Sequence, residues 1–387
     1  MLRIALIYTQ YDHWTQPYIA TWEKKINELG VTAKPFIKEY HETSNNIPYL
    51  FSKNKTDTIL RAIQAFVFSW KKSTEYMAHT SFSNIKAPIK DVANFYPLLS
   101  FSPDIIHFIE YHDFPKYANF LKNTRSKSIV SFRGGDVLVN PWSNAWSKNY
   151  LQSIFFSADQ LHFVSNHIRD EALKLGAPED KCVVIYPGID INYFSKNDRA
   201  RIPKVFNKFR LVTTARLVWE KGIDYALGAI KQLVSRGYSL EYIIIGDGPD
   251  QRRLQFLRHQ YGLDAIVHFL GKQSPAIIKD LLEDADIYVQ PSLSEAICVA
   301  IMEACSMRLP IVSTKVGGIP ELVLDTENGL LVQPQNPEKL ADAIERLINN
   351  ESIRLKMGER SRQIAEQKFS LENEVLNWER LYLSSIG

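Results

Sequence analysis

The chain has 387 residues, 45% of them hydrophobic, and its 46 basic and 43 acidic residues leave a net charge of only +3. That balance argues against nucleic acid as the main partner. Three cysteines, Cys182, Cys298 and Cys305, are too few for a disulfide framework and point to a reducing compartment.

At about 150 residues per domain, the length predicts two or three domains. No run of about 18 or more apolar residues is present to span a bilayer. The opening stretch, MLRIALIYTQYDHW, has no small-residue cleavage site after its apolar run and reads as a first β-strand, not a signal peptide. Further strand candidates in the first half are Thr32–Phe36, Ile105–Phe108, Ser128–Phe132, Gln160–Val164 and Val183–Tyr186, after Arg3–Tyr8. Between them, Thr56–His79 is helical, with bulky apolar residues over Ile63–Trp70 followed by Lys71 and Lys72. Two readings stand for it: a core helix with a solvated end, or an interfacial helix against anionic lipid.

Tyr186–Lys208 is polar and lacks apolar periodicity, which predicts a linker. Beyond it come the candidates Phe209–Ala215, Glu241–Ile245, Val267–Leu270, Ile287–Gln290, Ile311–Thr314 and Leu330–Val332. Apolar runs alternating with helical patterns predict βαβ units and parallel sheets covered on both faces. The expected fold is two doubly wound α/β domains with a cleft between them. Ligands of such sheets bind beyond the carboxyl ends of the strands.

The stretch PSLSEAICVAIMEACSMRLP places two carboxylates, Glu295 and Glu303, in a segment that otherwise reads as core. In one continuous helix they would stand about 12 Å apart, too far to serve one atom. The turn and cap residues Pro291, Ser292 and Ser294 instead predict a helix beginning near Ala296, with Glu295 at its mouth and Glu303 two turns inside. Such a mouth presents bare N–H groups to an anion. The plain alternative is a capped core helix with Glu303 paired to a lysine.

Arg216 ends a strand, and Lys221–Gly222 opens a helix five residues on, so that both cations can aim at one phosphate. Taken alone, the pair also reads as solvated surface charge. Gly246-Asp247-Gly248-Pro249 is either a tight turn or a place where backbone approaches a ligand. It lacks the third glycine of a dinucleotide fingerprint. Asp284–Asp286, a DAD sequence, sits at a helix end before an apolar strand and reads as cap and loop. The histidines show no ligand spacing, so no metal is expected.

In this order and spacing, RLVWEK, GDGP, FLGKQS, EAICVAIME, STKVGGIPELV and NGLLVQPQNPEKLADAI resemble the retaining family-4 glycosyltransferases of the GT-B fold, such as those building bacterial exopolysaccharide, capsule and lipopolysaccharide. SPDIIHFIE, SFRGGDV and ADQLHFVSNHIRDEALKLGAPEDKCVVIYPGID match more loosely. The resemblance implies an acceptor-binding domain over 1–190, a nucleotide-sugar domain over 205–371, and a helix over 372–387 packing back on the first.

It further implies that Arg216 and Lys221 bind the donor diphosphate and that Glu303 accepts from ribose hydroxyls. Glu295, Ala296 and the amides of Ile297 and Cys298 would face the donor sugar and phosphate, with Gly246 beside them and Gly271–Lys272 at the base. Many relatives have histidine where this chain has Arg133. A guanidinium takes up no proton near neutral pH, so Arg133 is not a general base. It either bonds the sugar or a phosphate, or pairs with Asp136.

The implied reaction is metal-independent hexosyl transfer with retention, from a nucleoside-diphosphate sugar to a saccharide or lipid-linked acceptor. No further cofactor is implied. The implied place is the cytoplasm, with peripheral contact at the inner membrane if the 63–70 helix is interfacial. An epimerase or phosphorylase on the same fold, and a non-catalytic nucleotide-sugar-binding subunit, are the alternatives. Cys298 in the first turn of a helix facing the diphosphate would be an activated thiolate; turned into the core, it would be inert.

Overall fold

Runs of β-branched and aromatic residues form two six-stranded sheets, and every pairing within them is parallel. The computed structural model describes residues 2–8, 22, 24–37, 50, 55–68, 71–74, 86–143, 145–196 and 208–387. Strands β1 (Arg3–Tyr8), β2 (Thr32–Ile37), β3 (Ile105–Phe108), β4 (Lys127–Phe132), β5 (Gln160–Phe163) and β6 (Cys182–Val184) lie in the order β2-β1-β3-β4-β5-β6. Strands β7 (Phe209–Thr214), β8 (Leu240–Ile245), β9 (Val267–Phe269), β10 (Ile287–Gln290), β11 (Ile311–Thr314) and β12 (Gly329–Val332) lie in the order β12-β11-β10-β7-β8-β9. All twelve fall within two residues of the strands expected from sequence. Residues 197–207 of the expected linker lie outside the described residues.

Contacts divide the chain into two units. Unit one comprises Met1–Val164, Ile168–Ile185 and Val375–Gly387; unit two comprises Ser165–His167 and Tyr186–Glu374. The order of the second sheet reverses direction between β7 and β10, and that of the first between β1 and β3. At such a switch point the loops on either side diverge and leave a crevice at the carboxyl ends of the strands. In unit two, the segments after β7 and β10 are those that carry the expected site.

Unit one encloses a polar chain in its apolar core. His107 on β3, Ser131 on β4 and His162 on β5 lie on neighbouring strands, and Tyr382 joins them from the helix Leu371–Ile386. His162 Nε2 meets the Ile185 carbonyl at 3.0 Å, so this nitrogen carries the proton and Nδ1 accepts from Ser131 Oγ at 2.8 Å. Ser131 Oγ in turn accepts from His107 Nε2 at 2.7 Å, which leaves His107 Nδ1 to accept from the Tyr382 hydroxyl at 2.8 Å. A single direction of donation, from Tyr382 to the Ile185 carbonyl, satisfies all four bonds with both imidazoles neutral. Burial holds the His107 pKa well below the usual histidine range and lowers that of His162 to about 4, with the Arg133 charge adding to both shifts. The Trp378 ring closes the cluster, 4.6 Å from His107 and 4.4 Å from His162 between ring centroids.

The helix Lys55–Phe68 is amphipathic in an unusual sense. It buries Ala62, Ala65 and Arg61, while Ile59, Leu60, Ile63, Val67 and Phe68 are exposed, the last by 76%. Small residues let it pack closely on the helix Lys86–Phe101, and Arg61 spends its charge on Asp57 and the Leu50 carbonyl. Ile63, Val67 and Phe68 therefore do not serve the core. Lys71 and Lys72 are exposed one turn further on, and Trp70 lies outside the described residues. Among the described residues no helix is long and apolar enough to cross a membrane.

Candidate functional site

The loops after β7, β8, β9, β10 and β11 are bound to one another mainly through their backbones. Gly246 N donates to Gly271 O at 2.9 Å, joining the ends of β8 and β9. Leu217 N donates to Asp247 O at 2.7 Å, and Asp250 N to Leu217 O at 3.0 Å, so the GDGP turn lies against the Arg216 loop. Gly246 has φ +130°, and a Cβ there would stand 1.9 Å from Ala215 O. The turn reading of GDGP thus has a concrete cause: only glycine permits that contact. Leu293 N donates to Glu220 O at 2.7 Å, and Gly318 N to Glu295 O at 3.1 Å. Gly317, at φ +52°, would place a Cβ 1.8 Å from Glu295 O.

These contacts explain a departure from expectation. The helix spans Val299–Ser306 and does not begin near Ala296. Residues 291–298 form an irregular, bent segment rather than helix, with Glu295 O taken by the Gly318 amide and the Leu293 amide by Glu220 O. Ser292 caps no helix. Its hydroxyl donates to Glu295 Oε1 at 2.8 Å and accepts from Gln290 Nε2 at 2.8 Å. Cys298 is the N-cap residue, extended at φ −111° and ψ 97°, and its side chain joins the core with Ile301 and Met302. Burial pushes its thiol far up, Glu295 adds to the shift, and the Lys221 charge offsets only part of it. The activated-thiolate expectation for Cys298 therefore fails, because desolvation outweighs the helix terminus and the cation.

Glu295 is buried, and Lys221 Nζ meets its Oε1 at 2.6 Å. The polar chain continues through Ser292 and Gln290 to the Tyr288 hydroxyl, 3.1 Å from Gln290 Oε1. Lys221 so paired still has two N–H donors for other oxygens. Arg216 is exposed, and its guanidinium has no partner among the described residues. The amides of Ile297 and Cys298 likewise donate to no described group. Two buried oxygens in the same loops, Thr214 Oγ1 and Glu220 Oε2, are without a hydrogen-bond partner.

Glu303 lies on the first turns of the helix 299–306, with no bond or ion pair to its carboxylate among the described residues, so the lysine pairing is not found. Burial raises its pKa to about 7. Cations, bare amides and a carboxylate without a described partner are thus carried by the segments that follow β7 and β10, on either side of one switch point.

In unit one, the Asp136 carboxylate accepts from the backbone amides of Arg133, Gly134 and Val137. It is therefore not the partner of the Arg133 guanidinium, which is exposed and unpaired among the described residues. Asp286, of the DAD sequence, accepts from Arg210 N at 2.9 Å, and Asp284 lies 3.5 Å from Arg210 Nη1, as a cap and loop role requires. No group of three or more potential metal ligands occurs among the described residues. Sequence reasoning missed the two unpartnered oxygens and the Gln290–Ser292 relay, since neither leaves a spacing signal.

Two family models match in succession: Glycosyltransferase Family 4 over residues 73–193 and Glycosyl transferases group 1 over residues 194–364. WcaL of Escherichia coli K12, named for colanic acid biosynthesis, is 32% identical over 226 residues, covering 57% of this chain and 55% of WcaL. The amylovoran biosynthesis glycosyltransferase AmsK of Erwinia amylovora is 30% identical over 238 residues, 60% of this chain and 58% of that protein. The chain thus spans little more than half the length of these curated relatives. The crystal structure of Anabaena Alr3699/HepE in complex with UDP superposes with a TM-score of 0.77 at 19% identity, covering 99% of this chain and all of that one. A glycosyltransferase from Rickettsia africae superposes with a TM-score of 0.76 at 19% identity, over 100% and 98% of the two chains.

Two doubly wound parallel sheets and two glycosyltransferase models in sequence define the class: this is a protein of the GT-B fold. Within that class the chain matches glycosyltransferase models over 73–193 and 194–364 and is related to glycosyltransferases of bacterial surface polysaccharides.

Proposed function

We propose that the chain transfers a hexosyl group, with retention, from a nucleoside-diphosphate sugar to a saccharide or lipid-linked acceptor in surface polysaccharide synthesis. The observation that carries this reading is the free Arg216 guanidinium beside the paired Lys221 and the bare amides of Ile297 and Cys298. Cleaving the anomeric bond builds negative charge on the departing diphosphate. Fixed donors aimed at that charge stabilise the transition state more than the ground state. Glu303 accepts from the ribose hydroxyls, and the base meets Gly271 and Lys272. The Lys221–Glu295 pair holds both side chains at the sugar end. No protein base is required, since the leaving phosphate takes the acceptor's proton, and Arg133 serves the sugar or phosphate as a cation.

UDP and UDP-glucose, seen with the Anabaena relative, are the first probes for a thermal-shift panel of nucleoside diphosphates. Arg216→Ala removes charge-assisted bonds of about 1.5–3 kcal/mol. Its expected result is a loss of transfer of at least about tenfold with an unchanged melting temperature. Unchanged turnover in the variant rejects the assignment.

The exposed apolar face of helix 55–68, followed by Lys71 and Lys72, supports contact with an anionic membrane surface. The measurement is sedimentation with anionic vesicles, expected at low salt and reversed as salt screens the lysines.

A further inference from the structure

Unit one has a second exposed patch of different chemistry. Trp142 and Trp146 are 67% and 70% exposed, on the short helix Asn140–Ser143 and on the helix Ala145–Ser157. Indoles so open to water are not explained by packing, and contiguous exposed apolar surface marks recognition. From Trp146 a ladder of rings runs inward. The Trp146 ring stacks on Tyr150 with centroids 4.9 Å apart and planes at 19°. Tyr150 donates its hydroxyl to the His112 carbonyl at 2.5 Å and meets Tyr111 edge-on at 6.3 Å. Tyr111 lies over the His112 ring at 4.0 Å, and its hydroxyl accepts from Asn140 Nδ2 at 2.7 Å. Each inner ring is thus locked by a hydrogen bond, so the outer indole rests on a rigid support. Asn140 follows closely on the Arg133–Asp136 loop, where the Arg133 guanidinium is free.

We infer that Trp142 and Trp146 form the platform on which the acceptor's sugar ring stacks, which makes the acceptor a saccharide at the end that enters this site. A pyranose has one face of C–H groups and a rim of hydroxyls. The C–H groups carry partial positive charge and suit the negative face of an indole. The rim requires neutral hydrogen-bonding groups: Asn140 bonds the ladder at Tyr111, and Ser143 bonds the Asn140 carbonyl and Ser147 beside it. Burial raises the Tyr111 and Tyr150 pKa values above the usual range, which keeps both phenols protonated. A lipid surface would be met by other means, and the same unit shows them: the aliphatic face of helix 55–68 with two adjacent lysines. Along the segment 140–150, which carries the indoles, Lys148 is the one charged residue.

The meaning of the bound saccharide rests on the glycosyltransfer reading, but its binding does not. The experiment is retention of the full chain on an array of immobilised oligosaccharides, with UDP-induced thermal shifts measured on the same samples. Wild type should bind a subset of glycans. Trp146→Ala and Trp142→Ala should each lose at least tenfold in signal. Trp146→Phe should stay within threefold of wild type, and Phe256→Ala, an exposed aromatic in unit two, should equal it. The UDP shift should be the same in all. Glycan binding without any UDP shift would leave this inference standing and remove the donor reading. No glycan bound by wild type, or alanine variants that bind as wild type does, overturns the platform. So does a loss confined to vesicle binding or self-association.

Discussion

At the switch point of unit two, the bare amides of Ile297 and Cys298 belong to loops that glycines lock to neighbouring carbonyls. In unit one the groups that reach solvent are side chains, the indoles of Trp142 and Trp146 and the aliphatic face of helix 55–68. The interiors invert the contrast. Unit one hides a neutral imidazole chain, and unit two hides a carboxylate–lysine pair. A site made of backbone tolerates few sequences, because every loop must pass close to another. A site made of exposed side chains tolerates many. One fold can therefore keep a backbone-built site fixed while exposed side chains elsewhere on it change.

The largest expected effect tests the ionic interior of unit two. Lys221→Ala leaves Glu295 buried without its cation, which costs about 3–5 kcal/mol for a fully buried pair. The lower end applies here, since the lysine side chain keeps 22% of its exposure and Ser292 still bonds the carboxylate. Adding Glu295→Gln should restore most of that stability in urea unfolding without restoring transfer. Recovery of both would make the pair purely structural.

Acid should act on the two interiors with opposite sign. His107 and His162 are neutral when folded and charge near 6.5 when unfolded, so the unfolded chain binds more protons below that pH. Stability of unit one should fall from pH 6.5 downward by about 1.4 kcal/mol per unit for each histidine, levelling near pH 4 for His162. Glu303 is shifted upward, so the folded state binds more protons between about 4.5 and 7, and acid favours the fold of unit two over that window. Hydrogen exchange at pH 7 and pH 5, corrected for the slower chemical exchange in acid, should show lower protection in 105–108 and 375–387 at the lower pH, with no loss of protection in 299–306. Loss in both regions would contradict the assignment of the two signs.

Glu303 also sharpens the donor reading. An ionised carboxylate is the better acceptor for ribose hydroxyls, so nucleotide affinity should fall as pH drops below about 7, by at most tenfold per unit. Glu303→Gln should bind more weakly at pH 8 and show a flat profile, by calorimetry.

The smallest effect is an order of labelling. Cys182 is half-buried with its thiol pushed to about 11, whereas Cys298 and Cys305 are buried and the latter is pushed to about 12. Cys182 should alkylate first, slowly, with no protection by nucleotide. Rapid labelling at Cys298 would restore the open helix mouth.

Strands were legible because apolar runs of four to six residues bounded by turns have few other fates. Glu295 and Glu303 stood out as charges inside an otherwise apolar segment, and Arg216 and Lys221 as two cations across one strand-to-helix turn. The start of the helix at Val299 was not legible, because the Glu295 carbonyl is claimed by Gly318, a neighbour only in space. His107, Ser131 and His162 carried a faint sign, a polar residue inside an otherwise apolar strand. Their union follows from strand order and from Tyr382, 220 residues beyond His162 in sequence. Trp142 and Trp146 drew no reading from the sequence, since neither spacing nor composition tells an exposed indole from a buried one.

The helix 371–386 has a consequence for the order of synthesis. Val375–Gly387 supply Trp378, Leu381 and Tyr382 to unit one, while unit two is complete at Glu374. On the ribosome, at roughly 5–20 residues per second, the first unit waits some tens of seconds while the whole of the second is made. Through that interval His107 lacks its tyrosine and the core beneath Trp378 is open to water. The unit begun first is finished last, and for that time it is the part of the nascent chain most in need of a chaperone.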